Sequence, residues 1–215
     1  MPSLAHWRRE PAPAMVASRD PSMLGSMTAP QRFKLAFVGS HGVGKTTLCY
    51  ALAARLKARD VSLELVREVA RLCPLPINEE TNVAAQSWIL HSQVATEIVA
   101  AERYPVVLCD RSILDNYVYM MIAAGRQAAL EPLVDAWVRT YGLLVFVPVV
   151  DRPSPDGLRA TDPSFQKAVE DGVRRELERR GIPALWLDPT DREGWIDAVE
   201  ARVMEALAPP QLTLI

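Results

Sequence analysis

The sequence predicts an α/β fold, a five-stranded parallel sheet between two layers of helices, and three observations carry that prediction. From residue 33 onward, short and mostly apolar runs alternate with longer segments of helical period. That alternation marks a parallel sheet whose strands are buried on both faces. The first apolar run enters a glycine-rich nonapeptide that leads directly into a helical segment, a strand–loop–helix unit. The composition of the 215 residues, 49% hydrophobic and 23% charged, suits one globular domain and excludes a disordered or fibrous chain.

In chain order, residues 1–31 hold Pro2, Pro11, Pro13, Pro21 and Pro30 among Ala, Ser and Met without periodicity, and are expected to form a disordered tail. Arg8, Arg9 and Glu10 are followed by Pro11 and Pro13, so no apolar signal segment forms there, and Met27 is an alternative start. The domain is placed at 32–208, with 209–215 as a C-terminal tail. Strands are expected at 33–38, 63–66, 106–109, 143–147 and 184–187, each a short apolar run. Helices are expected at 46–59, 83–102, 113–124, 131–140, 165–180 and 195–207.

Several function classes drop out. Lys and Arg number 24 against 26 Asp and Glu, a net charge of -2, which provides no field for a nucleic-acid duplex. No apolar run approaches the ~20 residues of a spanning helix. Cys49, Cys73 and Cys109 are odd in number and lack metal spacing, so a reducing, cytoplasmic setting is expected. The oligomeric state, homodimer included, is not legible.

The nonapeptide comprises Gly39, Ser40, His41, Gly42, Val43, Gly44, Lys45, Thr46 and Thr47, with the glycines, lysine and hydroxyl spaced as in a phosphate-binding loop. Glycines let successive backbone N–H groups curl around a polyphosphate, the next helix offers its positive end, and the lysine reaches the β and γ oxygens. Thr46 supplies a hydroxyl for Mg²⁺. ATP and Mg²⁺ are therefore the expected ligands, and His41 occupies a free position of the motif.

Two carboxylates follow predicted strands. Asp110 closes the third strand and points into the crevice where open α/β sheets bind ligands, so it joins Thr46 as a candidate metal-site residue, with Arg111 beside it to neutralise a phosphoryl oxygen. The competing reading makes Asp110 a cap for the helix beginning near Ile113. Glu68 follows the second strand and is placed to take the proton of an acceptor hydroxyl, with Arg67 and Arg71 nearby. Its competing reading is a surface ion pair with Arg71.

From Ala85 to Met121 the order of Gln86, Gln93, the apolar run 106–109, Asp110-Arg111-Ser112, and Tyr117 with Tyr119 resembles the deoxyribonucleoside kinase family. The phosphate loop with Arg-Glu-Val-Ala-Arg at 67–71 also resembles the small P-loop ATPase and kinase-like domains of AAA type that include the ribosylnicotinamide kinase domain. The resemblance implies a nucleoside-kinase-like P-loop NTPase fold with strand order 2-3-1-4-5, and phosphoryl transfer from ATP to a small acceptor. It implies Glu68 as general base, Asp110 and Arg111 as the acid–arginine pair, Gln86 as a contact to the acceptor's base, and Gln93 where that family often has an arginine. The Glu-Pro dipeptide and tryptophan usual after the second strand of deoxyribonucleoside kinases are absent here. The alternative for Gln86 and Gln93 is two solvated helix positions.

The segment 151–163, with three prolines and a glycine, reads as a lid that delivers Arg159 and, second, Arg152 to the transferring phosphate. Arg174, Arg175, Arg179 and Arg180 follow, as lid helpers or as a solvated face. The rival functions are a GTPase switch, a nucleotide-binding regulatory module with weak hydrolysis, and a polynucleotide end kinase. Against the first, the guanine-reading tetrapeptide is absent, and Asp-Arg-Glu-Gly at 191–194 follows the last strand, as a turn and helix start would.

Overall fold

The computed structural model describes residues 32–77, 81–151 and 162–208. The expected tails at 1–31 and 209–215, and the lid residues 152–161 with Arg152 and Arg159, lie outside the described residues.

The strands are β1 (Phe33–Val38), β2 (Leu63–Val66), β3 (Val106–Asp110), β4 (Leu143–Phe146) and β5 (Leu185–Trp186). All pairings are parallel and the order is β2-β3-β1-β4-β5, as the kinase resemblance implies. Register follows side-chain alternation: Phe37 sits opposite Asp110, and Val38 opposite Phe146. The helices are α1 (Lys45–Lys57), α2 (Val83–Arg103), α3 (Ile113–Ala124), α4 (Glu131–Val138), α5 (Pro163–Arg180) and α6 (Trp195–Leu207). Bounds differ from expectation by one or two residues at α1, α2, β3, β4, α4, α5 and β5. α4 ends at Val138, β5 keeps two ladder residues, and α5 starts earlier because Asp162 caps it, with its carboxylate accepting from Ser164 N–H at 2.9 Å ahead of Pro163.

Alternation along the strands builds two cores. Phe33, Leu35 and Phe37 face α1 and α6, whereas Ala36 and Val38 face the layer of α2, α3, α4 and α5. Leu35, Phe37, Leu108 and Leu144 are fully or almost fully buried, each contributing about 1.5–3 kcal/mol. α3 and α5 approach closely at Gly172, where an added Cβ would lie 2.6 Å from Val118 Cγ1. The parallel strands carry their C-terminal ends to one edge, and those of β2, β3 and β1 are adjacent there.

Candidate active site

The loop after β1 needs its glycines for different reasons. Gly39, Gly42 and Gly44 all have positive φ, and an added Cβ on Gly39 would lie 2.5 Å from the Val147 carbonyl oxygen of the neighbouring strand's extension. Only glycine avoids that overlap. Lys45, at the start of α1, folds back so that its Nζ donates to the carbonyls of Gly39, at 3.0 Å, and Ser40. Burial, then the charge of Arg111, lowers the Lys45 ammonium to about 7, against the opposing pull of Asp115, Asp110 and Glu68. Thr46 Oγ1 donates to Asp110 Oδ2 at 2.5 Å, placing a hydroxyl and a carboxylate, two hard oxygen donors, side by side under the loop. Among the described residues no group of three His, Cys, Asp or Glu could hold a metal. A cation at this pair would therefore complete its shell with phosphate and water oxygens, as Mg²⁺ characteristically does.

Asp110 is not the cap of α3. Ser112 is: its hydroxyl accepts from Leu114 N–H at 3.0 Å, and Asp115 Oδ1 accepts from Ser112 N–H at 2.8 Å in a reciprocal box. Asp110 is thus released to face Thr46. Next to it Arg111 has φ 97, a left-handed conformation costing a branched or long side chain about 1–3 kcal/mol. That turn sends its buried guanidinium toward β2, where Nε donates to Glu68 Oε1 at 2.6 Å. Glu68 Oε2 accepts from Arg71 Nε at 3.0 Å. The Glu68–Arg71 pair expected on the surface therefore exists, but its carboxylate is buried and shared with Arg111. The turn that carries Arg71 is 3-10, Val69–Leu72.

Arg111 Nη1 and Asp115 Oδ2, 3.9 Å apart, are buried without hydrogen bonds, so this corner retains polar capacity beside Lys45. Burial pushes the Asp115 carboxyl up, although Arg111 and Lys45 pull it down. Asp115 is not among the residues the sequence singles out; the structure gives it both the capping-box role on α3 and a place in this site. His41, expected to be a passive loop residue, is buried: Nδ1 lies 3.1 Å from Tyr119 Oη, its carbonyl accepts from Gln166 at 3.0 Å, and Phe165 packs on its ring. Tyr119 in turn lies under the Arg111 guanidinium at 4.9 Å. Arg192, in the turn expected at 191–194 but not among the candidate site residues, also reaches the loop. Its Nη2 lies 3.8 Å from where Gly44 would carry a Cβ, and its Nη1 donates to Asp151 at 2.5 Å. The turn expected at 191–194 is present, with Asp191 accepting from Gly194 N–H at 3.1 Å before α6.

The glutamines are not solvated. Gln86 is buried and donates to Thr81 at 2.8 Å on the first turn of α2. Gln93, expected beside the acceptor, is 0% exposed and donates to Glu97 at 2.7 Å and to the Arg111 carbonyl at 3.3 Å, which puts it behind the acid–arginine pair. The basic face of α5 is not a plain solvated face either. Arg179 and Arg180 pair with Glu131 and Glu176, and Arg174 stacks over Phe146 and Trp186 at 5.0 and 4.8 Å.

A family model described as an AAA domain matches residues 34–194. No curated protein matches the sequence. Among solved structures, a deoxyadenosine kinase from M. mycoides with the products dCMP and a flexible dCDP bound is similar at TM-score 0.60 and 14% identity, covering 80% of this chain and 100% of that one. NadR in complex with NR is similar at TM-score 0.65 and 20% identity, over 86% of this chain and 54% of NadR, so this chain spans about half of NadR's length. Thymidylate kinase from Ehrlichia chaffeensis gives TM-score 0.58 at 18% identity, over 83% of this chain and 100% of that one. At these identities the likeness is one of fold.

Proposed function

Since the chain belongs to this AAA-domain family, with the model matching residues 34–194, we propose that it is an ATP- and Mg²⁺-dependent phosphotransferase moving a γ-phosphoryl group to a small acceptor: a nucleoside, a nucleotide or a related metabolite. The observation that carries this reading is the meeting of Lys45, Thr46, Asp110, Arg111 and Glu68 at the adjacent ends of β1, β3 and β2. A hydrolase needs only the first half of that set. The second half, a buried carboxylate held by two guanidiniums, suits the orientation of an acceptor hydroxyl.

On this reading the backbone N–H groups of 39–47 bind the triphosphate, and Lys45 leaves its own loop carbonyls for the β and γ oxygens. Thr46 and Asp110 would hold the metal, which would supply positive charge to neutralise phosphate oxygens. Arg111 faces the developing phosphoryl charge, and Glu68 accepts the hydroxyl proton. Arg71 and Gln86 contact the acceptor, whereas Gln93 supports Arg111. Arg159, with Arg152 second, completes the charge complement from the connection after β4.

Labelled ATP offered with nucleosides, nucleotides, sugars and oligonucleotide ends tests the proposal. Label on a small acceptor is the expected result. Phosphate release without any acceptor supports a regulatory module, label on oligonucleotide ends supports an end kinase, and competition by guanine nucleotides over ATP supports a switch.

A further inference from the structure

We propose that Glu97 is a positioning residue, the anchor of a two-point clamp that holds Arg111 in its left-handed conformation; this rests on the reading of Asp110 and Arg111 as part of the transfer site. A long side chain at φ 97 persists only where its surroundings over-determine it. Two side chains do so here from opposite sides of Ser112. Gln93 Nε2 donates to the Arg111 carbonyl at 3.3 Å, and Tyr141 Oη accepts from Ile113 N–H at 3.1 Å.

Both clamps are set by one carboxylate oxygen. Glu97 Oε1 accepts from Gln93 Nε2 at 2.7 Å and from Tyr141 Oη at 2.6 Å. Because the neighbours of the Gln93 nitrogen are both acceptors, its amide cannot flip, and its own Oε1 is left buried without a partner. The Tyr141 proton is likewise committed to Glu97, which leaves its lone pair for Ile113. The other oxygen, Oε2, accepts from Lys34 Nζ at 2.7 Å and from Trp137 Nε1 at 2.8 Å. Glu97 is 0% exposed, and Lys34, which also lies over the Trp137 and Tyr141 rings, balances its charge. One acid thus ties β1, α4 and the loop before β4 to the backbone that aims Arg111.

Glu97→Gln would strand the Lys34 charge and put a donor against donors, and it risks unfolding. Gln93→Met and Tyr141→Phe keep the ion pair and remove one clamp each. Trp137→Phe is the control, since it removes a donor to the same carboxylate that touches neither Arg111 nor Ile113. Crystal structures of the full chain should show Arg111 leaving positive φ in Gln93→Met and Tyr141→Phe and keeping it in Trp137→Phe. In the labelled-ATP assay the two clamp variants should lose about tenfold or more in kcat with KM for ATP within about threefold, a split that a general loss of packing would not produce. Arg111 retaining its φ in both clamp variants overturns the proposal, as does a kcat in both within twofold of the Trp137→Phe value. Arg111→Ala separates the two readings: a wild-type transfer rate there sinks the assignment of Arg111 to the site, while the clamp is still judged by the backbone conformation.

Discussion

Lys45 is the residue whose charge state the surroundings alter most usefully. With its ammonium lowered to about 7, chiefly by burial and then by Arg111, much of it is neutral above that pH until a polyanion arrives. Bound phosphates restore the proton, so ATP binding should be nearly proton-neutral at about pH 6 and take up close to one proton at about pH 8, and affinity should fall as pH rises between these values. Calorimetry in buffers of different ionisation enthalpy reads the uptake, and Lys45→Met should abolish its pH dependence. Lys45→Ala should abolish transfer. Glu68→Gln should leave ATP binding within about twofold and slow transfer by roughly 10²-fold, the usual loss on removing a general base. An unchanged rate in single-turnover assays would reduce Glu68 to a tether for Arg71 and Arg111. The identity of these residues was readable because phosphate chemistry requires glycine, lysine and a hydroxyl at set intervals. Their company was not: Asp110, which could be read as the cap of α3, leaves that role to Ser112 and Asp115, and Gln93, placed by family resemblance where an arginine often stands, turns to the Arg111 carbonyl, because a helix position alone does not tell which buried neighbour it meets.

For the elements, the α3–α5 contact gives the sharpest expectation. Gly172→Ala gains about 1 kcal/mol of helix propensity, but the new methyl would meet the stiff Val118 side chain at 2.6 Å, an overpacking cost of about 1–3 kcal/mol. The variant should unfold at lower urea than wild type. In a Val118→Ala background the same change should become neutral or stabilising, a sign reversal that exposes the contact as the cause. Element types and most bounds were legible in the sequence, because each strand is a short apolar run and each helix a longer run of helical period, whereas side-chain N-caps mark only α2, α3 and α5. The exceptions have physical reasons. The segment after β2 forms a 3-10 turn, since Glu68 and Arg71 bond at i to i+3 around it. α5 starts at Pro163 because Asp162 caps it.

Taken whole, the molecule carries a second charge network far from the phosphate loop in its role. Arg126, Arg179 and Arg180 bind Glu131 and Glu176 across α4 and α5. Burial would raise the Glu131 carboxyl, but the Tyr117 hydroxyl and these arginines hold it down at about 2. Glu176 is also lowered, by Arg126 and Arg179 against the effect of burial. A carboxylate depressed in the folded state contributes stability that is complete above its unfolded value, near 4.5, and is lost as pH falls toward 2. Urea midpoints should therefore drop over that window in the wild type, and less steeply in Glu131→Gln. The sheet, its helical layers and the phosphate loop could be read from the chain alone, because strand alternation, helical period and glycine spacing are properties of neighbouring residues. The aim of Arg111 could not. It depends on Gln93 meeting a carbonyl 18 residues on, and on Glu97 collecting Tyr141 from 44 positions away and Lys34 from 63. Such contacts have no local signature, since chain folding alone brings a strand, two helices and a loop around one buried acid.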